Sequence, residues 1–152
     1  SEMFLADRRP GIAGSVIVPT LEGHRPLVVE LQALVAASGG GHPRRSVTGV
    51  DPGRVGLLLA VLERRVNVPV LGLDTYAMAV GGARVTEPGA DLGLALAIVS
   101  SATNVAVPAD VVAVGEVGLG GELRSVGGID VGLQVLRVPT VHAAVDLLGL
   151  RE

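Results

Sequence analysis

One stretch, EPGADLGLALAIVSSA from Glu87 to Ala102, constrains the fold more than any other. It is a turn that opens directly into an apolar helix, predicted from Pro88 to about Ala102. The run LGLALAIV is too short to span a bilayer and is bounded by Asp91 and the Ser100–Ser101 pair. It therefore belongs to a core, and the core around it is aliphatic. Apolar residues make up 49% of the chain, yet aromatic residues make up 1%, with only Phe4 and Tyr76. Val, Leu, Ile and Ala suit close helix-on-sheet packing. The same shortage nearly excludes an aromatic platform for stacking the bases of a single strand. A length of 152 residues is enough for one domain with its own core.

Missing residue types narrow the chemistry. There is no cysteine, which excludes disulfides, thiolate metal sites and Cys nucleophiles. His24, His42 and His142 are far apart and show no metal-ligand spacing. All 12 basic residues are arginine, so a P-loop, a Schiff-base enzyme and a Ser-Lys enzyme are excluded for this chain. The formal net charge of −3 means that any binding to nucleic acid needs the arginines gathered on one face. No signal peptide is visible, and a soluble, cytoplasmic protein is expected.

Residues 1–14, SEMFLADRRPGIAG, are expected to be a connector from an upstream domain, with residues 15–152 forming the domain itself. Two β-rich runs flank the turn EGHRP. The stretch SGGGHPRR is a loop, and RSVTGV is a short strand. The segment DPGRVGLLLAVLERRV is a helix capped by Asp51, with Pro52 at its first position. Thr75, Ala77 and Ala79 alternate in DTYAMAVGG, which predicts a strand with one wet face. DVVAVGEV is predicted as a buried strand, GGELRSVGG as a hairpin arm and LQVLRVP as a last strand. TVHAAVDLLG is a final helix, capped by Thr140 and stopped by Gly149. The order predicts an α+β fold: a mixed β-sheet with helices packed mainly on one face.

Four blocks, SEMFLADRRPGIAGSVIVPTLEGHRPLVVELQALV, GVDPGRVGLLLAVLERR, AVGGARVTEPGADLGLALAIVSS and AVGEVGLGGELRSVGGID, closely resemble one family in order and spacing. It is the C-terminal Lon-protease-like domain (ribosomal protein S5 domain 2-like) of the bacterial DNA repair protein RadA, also called Sms. The resemblance covers nearly the whole chain. It implies a bacterial, nucleoid-associated recombination and repair ATPase, acting as a hexameric ring on single-stranded and branched DNA, with a recombinase as a further partner. ATP, Mg²⁺ and Zn²⁺ would belong to regions not present in this sequence; no cofactor is expected in the domain. The ancestral domain is a Ser-Lys protease. Aligned on EPGADLG the nucleophile position falls on Asp91, and aligned on GELRSVGGID the base position falls on Asp130. A carboxylate cannot replace an attacking alkoxide, and a second carboxylate would repel rather than activate it. The resemblance therefore implies a pseudo-protease and no enzyme activity for this domain. After GGID the family carries a helix and a strand before its last strand, whereas GGIDVGLQVLRVP runs almost directly into that strand; a segment is deleted or missing between Asp130 and Val131.

Asp91 is read as the cap of its helix, satisfying free N–H groups and complementing the dipole. A carboxylate pair of Asp91 with Asp130, for acid/base work or Mg²⁺, is the sharper alternative. Within the family-like blocks, Arg25, Arg44, Arg54, Arg84 and Arg124 stand beside turns, in a loop or in a first helical turn, where a side chain reaches a phosphate. They are the DNA-binding candidates, with Arg45 in reserve; Arg64 and Arg65 are read as stabilising a helix C-terminus. Binding would be sequence-neutral and salt-sensitive, and a ring would multiply weak contacts. Three other readings compete: a pure assembly module without DNA contact, a phosphate-binding small-molecule kinase-like enzyme, and a residual peptidase using Ser100 or Ser125.

Overall fold

The computed structural model describes residues 8–125 and 135–151. The chain opens with a hairpin of β1 (Ser15–Glu22) and β2 (Arg25–Ala37), paired antiparallel from Ser15↔Gln32 to Glu22↔Arg25. Gly23 and His24 alone join them, with Gly23 at φ +63°, a conformation that glycine adopts without strain. The loop of residues 38–44 leads to β3 (Arg45–Thr48). Helix α1 (Pro52–Arg65) follows, and its expected cap is present: Asp51 Oδ1 accepts the Gly53 N–H at 2.9 Å. In β4 (Leu73–Ala79), Thr75, Ala77 and Ala79 are buried while Tyr76 and Met78 are exposed, which is the predicted alternation.

A single 3-10 turn, Pro88–Ala90, enters helix α2 (Asp91–Thr103). Every residue of α2 from Asp91 to Ser100 is buried. Such a helix is apolar all round and must be covered on every side. The sheet covers one side and the other helices cover the rest. Gly93 sets the closeness of the crossing: a Cβ there would lie 2.1 Å from Val18 Cγ1 of β1. At the far end, Ser100 Oγ donates to the Val105 carbonyl at 2.6 Å and accepts the Gly14 N–H at 2.8 Å. Ser101 Oγ accepts the Val35 N–H at 3.0 Å. Helix α2 thus runs antiparallel to β1, with its mouth toward the hairpin turn.

The segment DVVAVGEV is not one strand. It divides into β5 (Val112–Ala113), parallel to β1, and β6 (Glu116–Val117), which pairs antiparallel with β7 (Leu123–Arg124) in a separate ribbon. The break falls at Gly115, whose backbone bonds to the entrance of α2 instead of continuing the ladder. Its N–H donates to the Gly89 carbonyl at 2.8 Å, and its carbonyl accepts the Leu92 N–H at 3.1 Å. Strand β8 (Val135–Leu136) lies parallel beside β5. Helix α3 (Val141–Leu147) ends the fold, with Thr140 Oγ1 accepting the Ala143 N–H at 3.0 Å and Gly149 at φ +67° just after it.

The six-stranded sheet has the order β3-β4-β2-β1-β5-β8, with antiparallel and parallel neighbours. One face shares a single core with all three helices: Val16, Val18, Val29, Leu31, Ala77 and Ala79 pack with Leu58, Leu96 and Val145. The fold is the predicted mixed α+β class, with the helices on one face. The opposite face carries a small cluster of Ile17, Val28 and Val112, and exposed Leu34, Tyr76 and Met78.

The stretch just before Ser15 is fastened to the domain. Arg8 Nη1 donates to the Ala109 carbonyl at 2.6 Å and Arg8 Nε to Ser15 Oγ at 3.1 Å. Ser15 Oγ in turn donates to buried Glu30 at 2.7 Å. Residues 1–7 and the expected gap between Asp130 and Val131 lie outside the described residues. Among the described residues, no helix is long and apolar enough to cross a membrane.

Candidate functional site

The mouth of α2 is built by three elements. Asp91 is its first residue and is 3% exposed. The expected capping role is not observed: the N-cap position is Ala90, without a side-chain cap bond. The carboxylate turns instead to Arg54 in the first turn of α1. Arg54 Nε donates to Oδ1 at 3.1 Å, and Arg54 Nη2 donates to Oδ2. The Val117 N–H of β6 donates to Oδ2 at 3.0 Å. The reason is local: the first amides of α2 already have partners, Asp91 N–H on the Pro88 carbonyl and Leu92 N–H on Gly115. The carboxylate is left to neutralise a guanidinium. Its place in the first turn still complements the helix dipole. The hydrogen bond to Asp91, followed by attraction to Asp91, Glu116 and Asp51, raises the Arg54 guanidinium above its ordinary value against the opposing effect of burial.

Three hydrogen bonds, two from Arg54 and one from the Val117 N–H, fall on the Asp91 carboxylate, which can accept about four. Asp130, and hence the Asp91–Asp130 pair, lies outside the described residues. Ser100 is fully buried between its two backbone partners, so it does not line a cleft where a peptide could reach it. Ser125 is exposed and lines a cleft of about 120 Å³ with Arg124 and Arg137. Among the described residues, no group of three or more His, Asp and Glu could hold a metal ion.

The five candidate arginines fall into three situations. Arg54 is engaged by Asp91 and lies inside the helix mouth. Arg25, at the hairpin turn, is exposed, as is Arg84, which precedes Val85, bonded through its N–H to Gly49 at 2.7 Å. Arg124, on β7, is opposite Glu116 in register and 3.8 Å from Glu122. These three share the end of the molecule toward which α2 opens. Glu87 ties that end together, accepting from Thr20 Oγ1 at 2.8 Å and from the Leu21 N–H at 3.0 Å. Arg44 stands elsewhere. Its N–H donates to Asp74 Oδ1 at 2.7 Å, and Asp74 is opposite Ala36 near the far end of β2. Arg25 and Arg44 are therefore separated by about 35 Å along β2. Arg45 clamps the carbonyls of Leu71 and Leu73 at 2.8 Å each, a structural role. Sequence reasoning did not find Glu87, although an acid just before Pro88-Gly89 is visible; which strand it holds is not.

Fold and site together define an α+β domain built round a buried central helix whose mouth is closed by an acid–arginine pair. No family model matches the chain. It is 49% identical over 130 residues to the DNA repair protein RadA of Halalkalibacterium halodurans, covering 86% of this chain and 28% of that protein. The RadA of Mycobacterium tuberculosis is 45% identical over 129 residues, 85% of this chain and 27% of that protein. That of Synechocystis sp. is 45% identical over 134 residues, 88% of this chain and 26% of that protein. The chain corresponds to a C-terminal part of these RadA proteins, spanning about 28% of the length of the first of them.

Proposed function

We propose that this chain is a non-catalytic, Lon-protease-like domain of a RadA-type recombination and repair ATPase, supporting hexameric ring assembly and binding DNA without sequence preference through its arginines. The observation that carries the reading is the Arg54–Asp91 pair at the helix mouth. The position that the family resemblance assigns to the nucleophile holds a buried carboxylate, tied to a guanidinium and a backbone amide. A carboxylate in that state neither attacks an amide nor leaves room for phosphate at the helix N-terminus, which argues equally against a kinase-like use. The relatives' names, DNA repair protein, support nucleic acid as the partner.

Exposed Arg25, Arg44 and Arg84 are the contacts to phosphate, whereas Arg54 holds the fold. In the full-length protein, replacing Arg44 or Arg84 by Ala should weaken duplex and single-strand binding in electrophoretic shift assays, and each should lower the salt dependence by about one counterion. Unchanged affinity in both variants would leave the assembly-only reading standing. A fluorogenic casein should remain intact; its cleavage by purified protein would end the pseudo-protease reading.

A further inference from the structure

The sheet face away from the helices is divided into two halves. Over β4 and β3 it is open, with Tyr76 and Met78 exposed and Leu34 of β2 exposed beside them. Over β5, β1 and the first part of β2 it is closed. Register places Val112, Ile17 and Glu30 in one rank across these strands, and Pro19 with Val28 in the next. Val112 is 0% exposed, Glu30 3%, and Ile17 and Val28 5% each. Pro19 is buried too.

A sheet face without cover keeps its alternate side chains wet, as the open half does. The cover of the closed half does not come from the helices, whose apolar side chains form one cluster on the opposite face. Ile17, Val28 and Val112 make a cluster of their own, and no further described apolar side chain packs against it. One end of the closed half is held by Arg8. Its Nε donates to Ser15 Oγ at 3.1 Å, and that hydroxyl donates to Glu30. Its Nη1 donates to the Ala109 carbonyl at 2.6 Å. Burial pushes the Arg8 guanidinium below the ordinary arginine value, against the attraction of Glu30. Pro19 and Val28 lie about 13 Å further along the strands, beyond the reach of that one side chain.

We propose that Met3, Phe4 and Leu5 close this half of the sheet. They belong to residues 1–7, which lie outside the described residues and read SEMFLAD. Two facts select this segment. Arg8 already fastens the chain to the closed half, at Ser15. The four residues from Arg8 back to Phe4 reach at most about 14 Å, which is the run from Ser15 to Pro19. The chemistry agrees: an uncharged triplet, bracketed by Glu2 and Asp7, meets an apolar patch of Ile17, Pro19, Val28 and Val112. Phe4 is the residue that gains most, because a phenyl ring on that patch removes the largest apolar area from water. The stretch expected as a connector is then part of the domain as far back as Met3. In a protein built like the RadA relatives, the region upstream would enter over this face from a fixed point instead of a loose tether. The inference does not depend on the DNA-binding reading.

The test is favoured by composition, because the chain has one phenylalanine and two methionines, Met3 and Met78. Selective labelling of the ring and of the methionine methyls therefore leaves no ambiguity of assignment by type. In the 152-residue chain the Phe4 ring should show nuclear Overhauser contacts to the methyls of Ile17 and Val28 and none to Met78. Phe4→Ala should lower the urea midpoint, and Phe4→Leu should keep most of it. Phe4→Ala combined with Ile17→Ala should lose less than the sum of the two single changes, whereas Phe4→Ala with Met78→Ala should be additive. No contact from the Phe4 ring to the closed half would overturn the inference whatever the midpoints, as would contacts to Leu34 or Tyr76 in their place. Contacts from Ile129 to Ile17 and Val28 instead of from Phe4 would assign the cover to another segment and overturn it. Contacts found only between labelled and unlabelled chains in a mixture would make the cover a second copy and overturn it as well.

Discussion

Arg54 and Asp91 show how much two side chains can decide. Either one alone is an ordinary surface-type residue beside a helix start, and each has a plausible separate role, phosphate contact for Arg54 and cap for Asp91. Brought together by α1 and α2, they form an ion pair in which the acid is 3% exposed and the arginine 32%. Removing one partner of a buried pair strands the other charge. Arg54→Ala is therefore expected to destabilise the domain by about 2–3 kcal/mol, at the low side of such cases because the guanidinium is partly wet. Asp91→Asn should cost less, since the amide oxygen can still accept from Val117. Urea denaturation of the two variants checks this, and an Arg54→Ala midpoint equal to the parent's would contradict it. The raised guanidinium value fixes the sign with pH: its contribution is fully present below the ordinary arginine value and is lost only as pH rises through the still higher folded one. The Arg54 guanidinium should thus contribute no pH dependence between about pH 6 and 9, which melts across that range can test. None of this was legible from residue type. The helix mouth was; its partner was not, because Arg54 and Asp91 are 37 residues apart.

At the scale of elements, pattern served well wherever one element could be read alone. The Asp51-Pro52 start, the Thr140 cap, the alternation of β4 and the EGHRP turn all describe short-range chemistry, and each was found. The segment DVVAVGEV failed because a continuous apolar run reads as one strand, while its hydrogen bonds are claimed by the turn before α2. The crossing of α2 over β1 makes a sharp prediction. By helix propensity alone, Gly93→Ala would stabilise by about 1 kcal/mol. The overlap of the new methyl with Val18 should instead make it destabilising by about 1–3 kcal/mol. Val18→Ala in the same chain should recover part of that loss. A Gly93→Ala variant that melts above the parent would show that the helix does not approach so closely.

For the whole molecule, α2 is the element around which the rest is assembled. Its amides from Leu94 to Val99 should exchange with deuterium only through global unfolding, and those of the hairpin turn and of residues 38–44 should exchange fastest. Faster exchange in α2 than in the centre of β2 would contradict that hierarchy. The amino-acid sequence by itself determined the class of fold, the aliphatic core and the exclusion of lysine- and cysteine-based chemistry, since these depend only on which residues exist and on their order and local periodicity. It also located the helix mouth. Tertiary structure decided the rest: that Asp91 holds Arg54 rather than its own helix, that Arg25 and Arg44 lie at opposite ends of a strand, and that Tyr76 faces water. Those outcomes depend on register and on which distant segment is adjacent, and a one-residue shift in pairing would turn each side chain to the other face.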